Sequence, residues 1–310
     1  MRYVFGIDVG GTTVKMGLFE TTGNLVDKWE ILTRTEQNGI YILSDIAKSL
    51  EQKIQQHHII KSDVLGAGIG VPGPVTADGM VNHCVNLGWG KKYVTKELAE
   101  LTGFVVKAGN DATLAALGEV WKGGGVGYQD VLLVTIGTGI GGGLVLQGDI
   151  VTGATGSGAE IGHICVNPNE TEICSCGKTG CLEQYTSATG IVRMAKKYLA
   201  EQDTNSVLRQ QTDCTAKDVI DAAKAGDVLA MHVIDNMAKT MGFALASCCA
   251  VADVALFLIG GGVSKAGDFL LEPIQKYYRI FAFHTQKDAV FKLAKLGNDA
   301  GIYGAACLII

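Results

Sequence analysis

The chain has 310 residues, of which 47% are apolar, so it is long enough for two domains with a substantial core. Its net charge of −5 and its lack of any lysine- and arginine-rich run argue against a nucleic-acid surface and against a polybasic membrane anchor. No apolar run approaches the roughly 18 residues that span a bilayer, and no charged leader precedes the first apolar segment, so we expect a cytoplasmic protein that binds small ligands.

The first half of the chain predicts alternating strands and helices. Strands are indicated by short runs of β-branched and aromatic residues bounded by glycine, threonine or asparagine. Helices are indicated by apolar residues that recur at helical spacing. The predicted elements are strands at 3–9, 14–19 and 25–33, a helix at 40–57, strands at 64–71 and 104–108, and a helix at 112–121. The expected order of this half is β-β-β-α-β-α-β-α. This order includes one further helix, between the strands at 64–71 and 104–108.

The second half begins in the same way, with two strands that flank Gly137-Thr138-Gly139. The predicted elements are strands at 130–136 and 141–147, mostly helical structure at 185–252, a strand at 254–259, a helix near 265–280, a strand near 290–296 and a closing helix from Asp299. We therefore expect two α/β lobes with a cleft between them. The segment from Gly123 to Gly127 is the expected crossing point.

Three glycine-rich turns follow predicted strands and are candidates for nucleotide binding. After the first strand, the backbone N–H groups of Gly10-Gly11-Thr12-Thr13 can approach phosphate oxygens closely, and Asp8 can hold a hydrated Mg²⁺. Gly137-Thr138-Gly139 repeats this device, and Gly260-Gly261-Gly262 suits the flat approach of an adenosine. Plainer alternatives remain, namely a hairpin turn for the first segment and a helix-entry turn for the last.

Asp111 follows a predicted strand and opens a predicted helix. It can serve simply as an N-cap, whose carboxylate accepts hydrogen bonds from the first-turn amides. Alternatively, it can serve as a general base that accepts the proton of an attacking hydroxyl during phosphoryl transfer. The local sequence leaves both roles open.

His163, Cys174, Cys176 and Cys181 form the most specific pattern in the sequence. One histidine and three thiolates make a closed tetrahedral zinc site, and such sites usually stabilise a fold instead of performing chemistry. A redox motif would have the spacing Cys-x-x-Cys, whereas this segment has Cys-x-Cys followed by a third cysteine. The pattern therefore predicts structural zinc.

The residues around this pattern carry further predictions. Glu160 lies three residues before His163, and Glu183 lies two residues after Cys181, so a metal that fixes the ligands also fixes two carboxylates suited to a polyhydroxylated substrate. The scattered cysteines, which are predicted to pack in the core, are Cys84, Cys165, Cys214, Cys248, Cys249 and Cys307. The remaining histidines, which are predicted to be surface or core positions, are His57, His58, His83, His232 and His284.

Several segments carry a family resemblance when they are taken together. They are Asp8-x-Gly-Gly-Thr12, Pro72-Gly73-Pro74, Asn86-Leu-Gly-Trp89, Asn110-Asp111-Ala112, Gly137-Thr-Gly139, Glu160-x-Gly-His163 and Cys174-x-Cys-Gly-x-x-Gly-Cys181-x-Glu183. In this order, and over essentially the whole chain, they resemble the ROK family of bacterial sugar kinases and sugar-responsive repressors, most closely its glucokinases. The resemblance implies a two-lobed α/β actin-like ATPase (ribonuclease H-like) fold, with an inserted zinc loop and an interdomain cleft for ATP and sugar. The lobes would be 1–118 plus 298–310 and 119–297.

The resemblance also implies a role for each matching residue in the transfer of a phosphoryl group from ATP to a hexose. Asp111 would be the general base. The residues expected to contact the sugar are Gly73, Asn86, Asn110, Glu160, His163 and Glu183. Those expected to bind ATP and its Mg²⁺ are Asp8, Gly10, Gly11, Thr12, Thr13, Lys15, Gly137, Thr138, Gly139, Gly260, Gly261 and Gly262. His163 would place one ring nitrogen on zinc and turn the other toward the sugar.

Glucose is the expected substrate, and three alternatives are weighed against a glucokinase. A kinase for fructose, N-acetylmannosamine or allose would use the same carboxylates and phosphate turns. A non-catalytic sugar-binding regulator would lack the base, and Asp111 is present. A repressor would carry a helix-turn-helix domain ahead of the first strand, where this sequence has two residues. The family's habit of forming dimers implies a homodimer.

Overall fold

A computed structural model describes residues 1–82 and 84–310; His83, for which the sequence predicts a surface or core position, lies outside them. The strands are β1 Tyr3–Val9, β2 Thr13–Glu20, β3 Leu25–Leu32, β4 Val64–Val71, β5 Met80–Val81, β6 Lys92–Tyr93, β7 Val105–Asn110, β8 Val131–Ile136, β9 Ile140–Leu146, β10 Asp149–Ile150, β11 Leu256–Gly260 and β12 Val290–Leu293. The helices are α1 Glu36–Gly39, α2 Ile42–Gln56, α3 Val94–Thr102, α4 Asp111–Lys122, α5 Glu183–Thr186, α6 Ala188–Glu201, α7 Ala216–Lys224, α8 Val228–Ala252, α9 Asp268–Phe281 and α10 Ala300–Cys307. Among these described residues, no helix combines the length and the apolar character that crossing a membrane requires.

The chain forms two compact units. The first unit contains Met1–Gln129, Gly143–Ala159 and Lys295–Ile310, and the second contains Asp130–Gly142 and Glu160–Ala294. The domain boundaries predicted from the sequence stay a prediction.

The first unit is built on a mixed sheet of order β3-β2-β1-β4-β7. Strands β1, β2 and β3 form an antiparallel meander, while β4 pairs parallel with both β1 and β7. Helix α10 approaches the sheet at backbone distance, because a Cβ atom on Gly68 would lie 1.7 Å from the carbonyl oxygen of Ala305. A Cβ atom on Gly304 would likewise lie 1.7 Å from the carbonyl oxygen of Leu114, so α10 and α4 also pack closely. This packing fixes the position of α4, whose first residue is Asp111.

The second sheet has the order β10-β9-β8-β11-β12. Strand β11 is fully buried and pairs parallel with β8 and β12. In the second unit, the long helix α8 packs against α6, α7 and α9. The turns after β8 and β11 therefore leave the same end of parallel strands, where ligand sites of α/β proteins commonly form.

The predicted secondary structure is largely confirmed. The strand predicted at 64–71 is β4, and the helix predicted at 40–57 is α2. The helix required between the predicted strands at 64–71 and 104–108 is α3, whereas the two-residue strands β5 and β6 are too short to leave a sequence pattern.

The prediction for the scattered cysteines is wrong at one position. Cys84 and Cys249 are buried, and Cys214, Cys248 and Cys307 are partly buried, but Cys165 is exposed. Cys165 lies opposite Cys181 in an isolated antiparallel bridge and therefore belongs to the surface segment around the predicted zinc ligands.

Candidate active site

The first glycine turn joins β1 to β2 and is held by three hydrogen bonds. The N–H of Gly10 donates to the carbonyl oxygen of Thr13 at 2.9 Å. The hydroxyl of Thr33 donates to the carbonyl oxygen of Gly10 at 2.7 Å, and the N–H of Thr33 donates to the carbonyl oxygen of Thr12 at 2.9 Å. Gly11 and Thr12 are exposed. The turn is thus a fixed backbone cradle open to a ligand.

Asp8 lies beside this turn and directly opposite Lys15 in the β1–β2 register. Burial, and after it the charge of Asp111, raise the pKa of Asp8 to about 6 against the opposing charge of Lys15. The ammonium group of Lys15 donates to the carbonyl oxygen of Asn298 at 3.3 Å. A partly buried carboxylate with so little compensating charge is suited to binding a cation.

Asp111 is the first residue of α4, but it is not the N-cap that the sequence left open as an alternative. The N-cap is Asn110, whose side-chain oxygen accepts from the N–H of Thr113 at 3.1 Å. The Oδ1 of Asp111 accepts from the N–H of Ala112 at 2.8 Å. Burial raises the pKa of Asp111. Asn110 therefore takes the N-cap role, and the carboxylate of Asp111 accepts from one first-turn amide in addition.

The other predicted sugar-contacting residues of this unit lie around the same strand ends. The side-chain amide of Asn110 donates to the carbonyl oxygen of Gly73 at 3.1 Å. Gly73 has a φ of 93°, which favours glycine. Asn86 is exposed, and its carbonyl oxygen lies 3.9 Å from the position of a Cβ on Gly11. The structure therefore brings Gly73 to Asn110 and Asn86 to the first glycine turn.

The second glycine turn joins β8 to β9 and is fixed by helix α6. The N–H of Gly137 donates to the carbonyl oxygen of Gly139 at 3.0 Å, and the N–H of Ala188 donates to the carbonyl oxygen of Gly137 at 2.8 Å. The hydroxyl of Thr189 donates to the carbonyl oxygen of Thr138 at 2.8 Å. Thr138 is itself exposed, so its side chain is accessible to a ligand.

A cavity of about 620 Å³ opens beside this turn, a size typical of small-molecule sites. Its lining residues, all in the second unit, are Gly137, Thr138, Ala188, Thr215, Ala216, Lys217, Ile220, Asp221, Lys224, Gly262, Val263, Lys265 and Ala266. Of the third glycine segment, Gly262 lines the cavity, while Gly260 is buried at the end of β11. The cavity thus joins the second and third predicted nucleotide segments.

Sequence reasoning missed the contribution of α7 to this cavity. Thr215 and Asp218 form a capping box, a pattern that predicts the start of a helix. Nothing in that pattern indicates a ligand, because α7 reaches the cavity only through tertiary packing.

The four predicted metal ligands converge in the segment 160–184, which we call the zinc loop. One ligand atom from each of His163, Cys174, Cys176 and Cys181 lies within 4.8 Å of all the others. The Sγ atoms of Cys176 and Cys181 are 3.6 Å apart, and Nδ1 of His163 is 3.8 Å from Sγ of Cys174. Tetrahedral zinc with ordinary bond lengths places neighbouring ligand atoms roughly 3.5–3.8 Å apart. The donor set therefore fits zinc.

The two carboxylates of the zinc loop differ in their surroundings. Oε1 of Glu183 accepts from Sγ of Cys174 and from the hydroxyl of Ser175, both at 3.0 Å. Its Oε2 lies 2.7 Å from the position of a Cβ on Gly139, so Glu183 connects the metal ligands to the second glycine turn. Glu160 is exposed, and its carbonyl oxygen accepts from the N–H of His163 at 3.1 Å.

Comparison with known proteins identifies the family. Residues 4–310 match the ROK family. The chain is 45% identical to a glucokinase of Halalkalibacterium halodurans over 99% of this chain and 95% of that protein. It is 34% identical to a glucokinase of Thermotoga maritima over 99% and 96% of the two chains. A ROK family glucokinase from Streptomyces griseus, solved in complex with glucose and AMPPNP, superimposes with a TM-score of 0.75 at 32% identity, covering 99% of this chain and 98% of that one.

Structural neighbours of this kind also confirm the actin-like ATPase fold expected from the resemblance. The match to the family covers nearly every residue and includes both units. The chain belongs to the ROK family.

Proposed function

We propose that this chain is an ATP-dependent hexokinase that converts glucose to glucose 6-phosphate. The observation that carries the proposal is the partly buried carboxylate of Asp111, which follows strand β7, lies next to the N-cap Asn110 and has a raised pKa. The 45% identity of the chain to a glucokinase supports glucose as the phosphoryl acceptor.

In the proposed reaction, the sugar hydroxyl oxygen bonds to the γ-phosphorus of ATP while the bond from that phosphorus to the β–γ bridging oxygen breaks and ADP leaves, and Asp111 accepts the hydroxyl proton. Exposed backbone of the first glycine turn and the hydroxyl of Thr138 receive phosphate oxygens. The 620 Å³ cavity of the second unit accommodates the adenosine. Positioning and electrostatics supply most of the rate, because phosphoryl transfer needs little covalent help from the protein. That both units act on one sugar and one ATP stays a prediction.

The proposed sugar contacts are Gly73, Asn86, Asn110, Glu160, His163 and Glu183. Nδ1 of His163 faces Cys174, which leaves Nε2 for a sugar hydroxyl. Zinc, held by His163 and the three cysteines, would stabilise this loop without taking part in the reaction. Asp8 is the proposed contact for Mg²⁺, which neutralises phosphate charge when it accompanies ATP.

The decisive experiment measures ADP release by the purified protein over a panel of hexoses and N-acetylhexosamines. We expect the highest kcat/KM with glucose. Preference for fructose, N-acetylmannosamine or allose would keep the kinase and change its substrate. Turnover with none of these sugars would reject the kinase, whereas sugar binding without turnover would indicate a non-catalytic regulator.

We also propose that the protein is a homodimer and acts in the cytoplasm, where ATP and reduced zinc-binding thiols are both available. Support for the dimer comes from an exposed apolar cluster on α8 and α9, where the rings of Phe243 and Phe281 pack 5.5 Å apart. Ile280, the neighbour of Phe281 in the chain, is 60% exposed, and Val251, further along α8, is 90% exposed. Exposed apolar clusters mark interaction surfaces. Light scattering after chromatography tests the proposal, and Phe281→Ser should shift a dimer toward monomer.

A further inference from the structure

Arg193 lies on α6, outside the zinc loop, and its guanidinium binds two parts of that loop at once. Nη1 and Nη2 contact the carboxylates of Glu172 and Glu170 at 2.7 and 2.8 Å. Nε donates to the carbonyl oxygen of Gln184 at 3.1 Å. Only a planar guanidinium can direct donors to three such acceptors together. Arg193 thus ties the start of the cysteine-containing segment to its end.

The residues that Arg193 contacts make further hydrogen bonds with one another and with neighbouring residues. The hydroxyl of Tyr185 donates to Glu170 at 2.5 Å, and the Arg193 guanidinium lies 5.0 Å from the Tyr185 ring. The side chain of Gln184 accepts from the N–H of the metal ligand Cys181 and donates to the carbonyl oxygen of Glu172, both at 3.0 Å. The network therefore extends from α6 to a zinc ligand without passing through the metal.

Burial makes the Glu170 half of the network the important one. The side chains of Arg193 and Glu170 are 22% and 10% exposed, whereas that of Glu172 is 64% exposed. Hydrogen bonds from Arg193 and then from Tyr185 hold the pKa of Glu170 at about 2, so the pair stays ionised at neutral pH. Loss of Arg193 would leave a buried carboxylate without its cation, which is strongly unfavourable, while an exposed pair contributes little.

Glu183 lies between the two attachments. Zinc would hold Cys181, two residues before it, and Arg193 holds Gln184, the residue after it. Glu183 and Arg193 also line one cavity of about 330 Å³ together with Gly139. The Glu183 carboxylate itself accepts from Cys174 and Ser175, and a metal bound at Cys181 fixes only one side of the Glu183 backbone, so the second attachment is needed to hold the other side.

We infer that Arg193 is a positioning residue for sugar binding, which sets the carboxylate of Glu183 through Gln184 and Glu170 independently of zinc. This inference rests on the proposed contact between Glu183 and the sugar. A misplacement of about 1 Å at such a contact can cost on the order of 100-fold in rate. Arg193 is thus expected to affect glucose recognition and to leave the nucleotide cavity unchanged.

The test compares Arg193→Ala with Arg209→Ala in the zinc-loaded, full-length protein. Arg209 is a matched control, because it also donates to three acceptors of the second unit, the backbone carbonyl oxygens of Thr204, Leu199 and Gln202, away from the zinc loop. We expect Arg193→Ala to raise KM for glucose about tenfold or more, to leave KM for ATP within about twofold and to retain bound zinc. Equal changes in both KM values, or the same change in Arg209→Ala, would indicate a general structural role and overturn the inference.

Three further variants keep the test valid if Arg193→Ala folds poorly. Glu170→Gln should raise KM for glucose in the same way, and Glu172→Gln should have little effect because that carboxylate is exposed. Arg193→Lys should restore part of the affinity, since an ammonium group cannot bind all three acceptors. Unchanged glucose KM in Glu170→Gln would also overturn the inference. A wild-type protein that phosphorylates no sugar would instead reject the proposed function.

Discussion

Asp8 lies in β1 and Asp111 directly follows β7 of the same sheet, and the charge of Asp111 raises the pKa of Asp8. They stand at the ends of β1 and β7, on either side of β4. Burial is the larger cause for Asp8, and it also raises the pKa of Asp111. Two such carboxylates suit different tasks, one that meets a cation and one that takes a proton. Substitutions at Asp8 and at Asp111 can test these two roles separately.

Replacing Asp111 with asparagine should remove the base and keep the shape of the side chain. We expect kcat to fall about 10²- to 10⁴-fold, the range of general-base catalysis, while KM for ATP changes little. Steady-state kinetics measure both. Asp149→Asn is the control, because Asp149 is an exposed carboxylate of the same unit. A kcat within about twofold of wild type would exclude Asp111 as the base.

The raised pKa values should appear in the pH dependence of activity. Asp8 and Asp111 must both be ionised to bind a cation and to accept a proton. Because the pKa of Asp8 is raised to about 6, kcat/KM should fall as the pH drops through about 6, instead of near the ordinary aspartate value of about 4. A pH profile of kcat/KM, which reports the free enzyme, tests this. A flat profile down to about pH 5 would contradict it.

The same shift predicts that Asp8→Asn stabilises the fold. The folded pKa exceeds the unfolded one, so the folded state binds the proton more tightly, and stability falls as the pH rises from about 4 to about 6. Removing the charge should raise the free energy of unfolding at pH 8 by on the order of 2 kcal/mol and abolish most activity. Denaturant unfolding with EDTA present measures it. The gain should largely disappear near pH 4, and a gain that persists there would have another cause.

The sequence predicted the fold and the convergence of His163 with three cysteines, because both leave local patterns. A short apolar run marks β4, and the spacing of His163 and the three cysteines is typical of a tetrahedral zinc site. The contributions of α7 and Arg193 could not be predicted, since they depend on helices packing against distant segments. The role of Asn110 as N-cap in place of Asp111 is likewise decided by where the backbone becomes helical, since Asn110 is still extended with a ψ of 143°, and two adjacent capping residues leave this boundary ambiguous in the sequence.

Removal of zinc should weaken sugar binding more than nucleotide binding. The metal would hold Cys181 and His163, which flank or supply sugar contacts, whereas the 620 Å³ cavity includes none of the four ligands. We expect chelation, or Cys176→Ala, to raise the Kd for glucose at least about tenfold, which is the size of effect seen when groups that orient a metal site are removed. Calorimetry with glucose and with a non-hydrolysable ATP analogue measures both affinities. Cys214→Ser is the control, and full glucose affinity in metal-free protein would contradict the prediction.

Two adjacent glycines after β11 should respond differently to substitution. Gly261 has a φ of +84°, and a Cβ there would lie 2.5 Å from the carbonyl oxygen of Ile136, so Gly261→Ala should lower the free energy of unfolding by more than about 1 kcal/mol. Gly262 has an ordinary φ of −61° and no atom within 4 Å of the position that a Cβ would take, yet it lines the 620 Å³ cavity proposed for adenosine. Gly262→Leu should therefore keep stability and raise KM for ATP several-fold, with KM for glucose unchanged. Thermal unfolding and kinetics of the two variants decide the matter, since a Gly262→Leu protein with normal KM for ATP would place the adenosine elsewhere.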